Sequence, residues 1–281
     1  MPVHVEHFTY GWLTPTLSYA LSVVGSMLGL VCTARARAVT DTGVRARWLV
    51  LAAWSIGGTG IWVMHFMAMI GFSVPGQSVR YDIPVTVASW ITAMVVVGIG
   101  LFIVGFGQPS AFKIMIAGVF TGVGVAAMHY TGMAAMRVAG IQSYDSTLVA
   151  LSVIIAVVAA TVALWFTVNL QRGSAILVAA LIMGLAVCGM HYTGMYALRV
   201  LVQETARPAE GITPITFLAP IAIFVIAVVI TLASALINRS GTDGPPTGDI
   251  TEGGARPGGT ASSDRPAIRS TPSSFVPRPV R

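Results

Sequence analysis

Histidine beside methionine is a pairing that soft metals favour, and this chain carries it three times. Met64-His65-Phe66-Met67-Ala68-Met69, Met128-His129-Tyr130-Thr131-Gly132-Met133 and Met190-His191-Tyr192-Thr193-Gly194-Met195 follow one pattern, which holds three of the five histidines. In each copy the histidine and the last methionine stand four residues apart. On a helix that is one turn up and about 40° around the axis. One face then offers an imidazole nitrogen together with a thioether sulfur. Imidazole suits copper, zinc, iron and nickel, and thioether narrows the preference towards Cu(I). The leading methionines point roughly 100° away from their histidines, towards a neighbouring helix or the same centre. The expected ligands are therefore His65, His129 and His191 first, Met69, Met133 and Met195 second, and Met64, Met128 and Met190 third. The plainer reading makes the methionines gap-fillers and lets each histidine bond to the next helix. Three imidazoles at one depth of a bilayer argue against it, because polar groups there are expensive.

What must position these residues is a helical hairpin repeated three times. The histidines are spaced by 64 and 62 residues, a period long enough for two membrane crossings. Hydrophobic residues form 55% of the chain and charged ones 9%, which excludes an ordinary soluble domain. Seven stretches, 13–33, 47–70, 84–106, 112–136, 147–170, 174–198 and 214–237, each supply the roughly 20 apolar residues that span a hydrocarbon core of ~30 Å. The expected fold is an all-α integral membrane bundle of seven transmembrane helices, three hairpin repeats plus one extra helix. The Met-His pairs fall near the ends of the second, fourth and sixth helices, which run in the same direction and so bring them to one level. Gly58, Gly122 and Gly184 each stand seven residues ahead of the histidine, where a glycine lets two backbones approach.

Arg35, Arg37, Arg45 and Arg47 crowd the connection between the first two spans and mark it as cytoplasmic. Residues 1–12 are then extracytoplasmic and the C-terminus cytoplasmic. No Lys or Arg precedes the first span, so no cleaved signal peptide is expected. Residues 238–281 are rich in Gly, Pro, Ser and Thr and are expected to form a disordered cytoplasmic tail with no output domain. Arginine beside the membrane, drawn to anionic lipid, accounts for the net charge of +6 without nucleic acid.

Tyr130 and Tyr192 follow their histidines, where a phenol either holds a histidine tautomer or anchors the helix at the lipid interface. Cys188 precedes His191 by three residues, where the other copies have Trp62 and Ala126; it is a small filler or an accessory sulfur ligand. Cys32 falls towards the opposite membrane face, too far from Cys188 for a disulfide.

The strings Met128-His129-Tyr130-Thr131 and Met190-His191-Tyr192-Thr193 resemble the MHYT-domain family of bacterial integral membrane sensors, over about residues 10 to 237. The first copy departs from the four letters at Phe66 and Met67. The resemblance implies a copper-binding sensor of oxygen, carbon monoxide or nitric oxide, with the motif Met and His residues as ligands near the outer face. Family relatives often join the bundle to cytoplasmic diguanylate cyclase, phosphodiesterase or kinase domains. With a disordered tail expected in their place, signalling would pass through a separate cytoplasmic partner.

Copper handling is an alternative, since removal of Met1 would leave Pro2-Val3-His4, an amine and a third-place histidine that suit Cu(II). A b-type haem held between histidines is another. A retinal protein is excluded, because a Schiff base needs a lysine inside the bundle and Lys113, the one lysine, starts the fourth span. No acidic residue lies within a span, which leaves no buried carboxylate for acid–base catalysis or a proton pump. No catalytic residue is expected.

Overall fold

The computed structural model describes residues 5–202 and 210–240. His4, Glu204, Arg207 and the expected tail from Gly241 onward lie outside the described residues. Seven helices are long and apolar enough to cross a membrane. They are α1 (Leu13–Ala38), α2 (Thr42–Ile70), α3 (Ile83–Gly105), α4 (Ala111–Ala134), α5 (Ser146–Asn169), α6 (Gly173–Tyr196) and α7 (Leu218–Ser240), the last led in by a 3-10 turn at Pro214–Phe217.

Polar residues set where the apolar runs become helical. Asp41 accepts from the Val44 amide, Asp82 from Val85, Ser110 from Lys113, and Asp145 from Thr147 and Leu148. Each cap satisfies an amide that the first helical turn leaves unpaired. At the far ends, Lys113 Nζ donates to the Phe106 carbonyl at 2.7 Å and Arg37 donates to the Leu170 carbonyl. Cations thus sit on the negative ends of α3 and α5.

Two expectations need correction. α1 continues past residue 33 to Ala38 and α2 starts at Thr42, so Arg35, Arg37, Arg45 and Arg47 lie on helices and residues 39–41 alone connect them. The fold is also not purely helical. Met136 and Leu198, expected as helical, lie in strands: β1 (Arg80–Tyr81) pairs antiparallel with β2 (Met136–Arg137), and β3 (Gly140–Tyr144) with β4 (Leu198–Val202). Beyond the last helical turn the backbone still needs partners, and β4 alternates, with Leu198 and Val200 buried and Leu201 exposed. Arg137 and Arg199 reach back to Asp82 and Asp145 at 3.1 and 2.8 Å, tying each ribbon to the cap of the following helix.

Helices α1 to α6 form a closed ring in which each packs on the next and α1 returns to α6, while α7 stands outside against α2. That makes α2 the enclosed helix: 83% of its most apolar stretch is buried, against 17% for α5. Within α2, Trp54–Val63 is a π-helix, a wide turn often found near functional sites. It is pinned on both sides. A Cβ added at Gly57 would stand 2.8 Å from the Ala93 carbonyl oxygen of α3, and one at Gly25 of α1 would stand 2.6 Å from Gly60 Cα.

The three glycines seven residues before the histidines do not share one role. Gly122 lets α4 approach the backbone of α5, 2.7 Å from Val157 N for an added Cβ. Gly58 instead makes room for the Phe224 ring of α7, and Gly184 for Val23 and Tyr19 of α1.

Candidate metal centre

α2, α4 and α6 bring His65, His129 and His191 together, and each ring is at most 1% exposed. Their ring centroids form a near-equilateral triangle of 5.0, 5.0 and 5.2 Å, with the planes 79°, 82° and 90° apart. His65 Nδ1 lies 3.0 Å from His191 Nδ1 and 3.2 Å from His129 Nδ1. One ligand nitrogen from each residue lies within 4.8 Å of the others.

These spacings suit a shared cation. Metal–imidazole bonds of about 2.0–2.1 Å at tetrahedral to trigonal angles put the nitrogens roughly 3.3–3.6 Å apart. The observed separations fall a few tenths of an ångström inside that. Proton sharing is the competing account, but a neutral imidazole has one N–H, and His65 Nδ1 faces two other Nδ1 atoms. A cation would satisfy all three lone pairs at once. The three Nε2 atoms are buried and make no hydrogen bond.

Two glycines set where the rings stand. A Cβ at Gly132 of α4 would collide with His65 Nε2 and lie 3.1 Å from its Cδ2. A Cβ at Gly194 of α6 would collide with His129 Nε2 and lie 3.0 Å from its Cδ2. His65 and His129 thus each rest on the next motif-bearing helix, three residues past that helix's own histidine. The first copy has Ala68 at that position. Sequence reasoning passed over Gly132 and Gly194, although both stand inside the repeated pattern.

The methionines divide around this layer. Met69, Met133 and Met195 lie one turn further towards the helix C-termini, in an apolar cluster with Phe66, Phe72 and Phe217. Met128 and Met190 belong to the separate cluster that fills the membrane interior, and Met64 is 1% exposed. The histidines therefore form a polar layer between two apolar ones. Cys188 is buried and free, as is Cys32, and Cys188 does not join the histidine cluster.

Left open between holding a histidine tautomer and anchoring its helix at the interface, the Tyr130 phenol takes a third role. The Tyr130 hydroxyl donates to Ser152 Oγ of α5 at 2.6 Å, while Ser152 donates to the Val149 carbonyl. In the first copy, where Phe66 has no hydroxyl, the Trp62 indole N–H donates to Ser89 of α3 at 3.0 Å. Tyr192 faces Ser18 of α1. Ser18, Ser89 and Ser152 are all fully buried, so each motif helix meets a serine on a neighbouring ring helix. Tyr130 ties α4 to α5 by its hydrogen bond, and glycines back the His65 and His129 imidazoles.

The N-terminal segment covers this end of the bundle. Glu6 and Ser73 exchange both backbone hydrogen bonds, and the Thr9 amide donates to the Gly71 carbonyl. His7 is thereby laid on Tyr196, ring centroids 4.6 Å apart, and beside Phe72. A haem finds no slot here, because the three imidazoles already touch one another.

A family model described as a bacterial signalling protein N-terminal repeat, MHYT, matches residues 58–118, 122–180 and 184–244. The chain belongs to the MHYT family. The matched repeats begin at Gly58, Gly122 and Gly184, so each joins the second half of a motif helix to the helix after it. In the MHYT bundle the place between α6 and α2 is taken by α1, and α7 stands outside.

Among curated relatives, the chain is 40% identical over 155 residues to MucR of Pseudomonas aeruginosa, a bifunctional diguanylate cyclase/cyclic di-GMP phosphodiesterase. It is 39% identical over 169 residues to the cyclic di-GMP phosphodiesterase NbdA of the same organism, and 28% identical over 245 residues to the signaling protein YkoW of Bacillus subtilis. The matches cover 53%, 58% and 84% of this chain but only 22%, 21% and 30% of the relatives. No solved structure matches it. The family and the seven apolar helices make the chain a multi-pass protein of the bacterial cytoplasmic membrane.

Proposed function

We propose that this MHYT domain is a membrane sensory module that holds one copper ion on His65, His129 and His191 and responds to a diatomic gas. The observation that carries the reading is the convergence of three buried Nδ1 atoms, His65 standing 3.0 and 3.2 Å from the other two. The methionine-rich layers on either side favour Cu(I) over zinc. Met69, Met133 and Met195 are the next choice of ligand, and Met64, Met128 and Met190 the last. When bound, Cu(I) supplies a centre able to take oxygen, carbon monoxide or nitric oxide at an open position.

The chain's own part is to convert ring spacing into helix spacing. His65 is carried by α2 and rests on α4, and His129 is carried by α4 and rests on α6, so moving these rings moves the three helices against one another. α2 is held by α7, whereas α4 and α6 face lipid more freely. The histidine end faces outward in this reading. Of the described arginines there, Arg137 and Arg199 are paired with carboxylates and Arg80 donates to the Gly211 carbonyl, while Arg35, Arg37, Arg45, Arg47, Lys113 and Arg172 gather at the other end, as a cytoplasmic face requires. The domain itself is non-enzymatic, and its output passes to a separate cytoplasmic partner, with cyclic di-GMP enzymes such as those named among its relatives as the model. Membrane lipid is its other partner, and nucleic acid is not one.

The test is elemental analysis of the copper-loaded, detergent-purified protein beside its His65→Ala/His129→Ala/His191→Ala variant. About one copper per chain, lost in a variant that keeps its helical circular dichroism, supports the site. Equal copper in both, or none in either, refutes it.

A further inference from the structure

Directly beneath the histidine layer lies a cavity of about 50 Å³. Ile61, Val125 and Val187 line it, and each stands four residues before a motif histidine. The chamber therefore begins one helical turn below all three imidazoles at once, with Met190, the neighbour of His191, in its wall. Its other side is a row of small residues on α5: Ala156, Ala160 and Ala163. Their spacing of four and three places them on one helix face, and larger side chains there would close the space.

The chamber is suited to staying dry. Thr167 already donates its hydroxyl to the Leu164 carbonyl at 2.7 Å. Ser26 and Thr121 are then the remaining polar groups on a wall otherwise of aliphatic side chains and methionine. A buried water wants two to four polar partners, while apolar cavities stay empty of water and take up xenon or benzene. Three side chains stand between the chamber and the lipid-facing flank. Ala159, Met183 and Ala186 line both the chamber and a groove of about 310 Å³ between α5 and α6. That groove is walled by Ile154, Val158 and Ile182, whose side chains are 48–59% exposed on the apolar flank of the bundle.

We propose that this chamber is a binding and transit site for a small uncharged diatomic molecule, which enters from the lipid between α5 and α6 and waits beneath the three histidines. Such molecules dissolve readily in hydrocarbon, so a route opening sideways into the bilayer draws on a richer supply than a route from water. The inference rests on the gas-sensing reading for its purpose, and its geometry stands without any metal.

The probe is therefore xenon on the metal-free protein. The full chain, labelled with ¹³C at the methionine methyls and placed in lipid nanodiscs, is studied by NMR under xenon pressure. Saturable shifts are expected at the Met183 and Met190 methyls and not at Met69 or Met133, and Ala160→Phe is expected to abolish them. Ala160→Leu serves the same purpose if the phenylalanine prevents folding. An absence of shifts, or shifts that persist in a folded filled variant, would overturn the proposal. Nuclear Overhauser contacts from Met190 to water would overturn it in favour of a wet cavity, and contacts to acyl protons in favour of a lipid tail. Because no copper is present, loss of the metal site would leave this result unaffected.

Discussion

Replacing Gly132 with alanine adds one methyl group and tests the packing that sets the histidine cluster. The new Cβ would stand 3.1 and 3.4 Å from His65 Cδ2 and Cε1 and closer still to Nε2. Ordinary contact needs about 3.4–4 Å, so the ring must retreat by roughly 1 Å. His65 Nδ1 is the atom that faces both other imidazoles, and a retreat of that size removes it from bonding range of a shared ion. Displacing a ligand through its supporting contacts costs typically 10–100-fold in metal affinity. Overpacking of this kind also costs about 1–3 kcal/mol in stability. Gly132→Ala is therefore expected to weaken Cu(I) binding by one to two orders of magnitude in competition with a chromophoric chelator. It should also shift the His65 ring nitrogens in long-range ¹H–¹⁵N spectra of the metal-free protein. Gly189→Ala is the control, because an added Cβ there meets nothing within 4 Å. Wild-type affinity in a folded Gly132→Ala protein, with unmoved His65 resonances, would refute the account of how the rings are held.

Other consequences are as direct. Tyr130→Phe removes the hydrogen bond to Ser152 and is expected to cost about 1 kcal/mol, without loss of bound copper; a cycle with Ser152→Ala in thermal unfolding measures the coupling. Phe66→Tyr would complete the four-letter motif's aromatic position, yet it is expected to destabilise by about 1–3 kcal/mol, because the ring is 1% exposed and Trp62 already occupies Ser89. Trp62→Phe in the same chain should recover part of that loss in the same melts. The Asp82 carboxyl is held below its usual range, first by the Val85 amide and then by Arg137. A group so held adds stability above its unfolded pKa and loses it as pH falls through the lower folded one. Protection of the Val85 amide, its exchange rate measured against the intrinsic rate at the same pH, is thus expected to fall only in acid, and Asp82→Asn should flatten that dependence.

The seven spans were legible because their signals are local. An apolar run and the aspartate or serine before it suffice to place α3, α4 and α5 within a residue or two, whatever surrounds them. The histidine cluster was legible for a related reason: two nearly equal spacings between three helices of the same direction leave the imidazoles at one depth. What the letters could not carry is rotation about each helix axis, which packing decides. Gly132 reads as any small residue in a membrane helix until His65 is seen resting on it. Nothing in the letters places the Trp62 indole on Ser89. The repeat also suggests three equal copies, and that equality fails where the chain ends its ring. α1 fills the place beside α6, so α7 has no room in the ring and covers α2 instead, with Phe224 over Gly58 and Phe217 against Phe66. Covered on that side, the first copy loses the phenol and the MHYT tetrad itself, and takes its serine contact from an indole one turn earlier. The departure at Phe66 and Met67 is the mark of the one motif helix that a further helix covers.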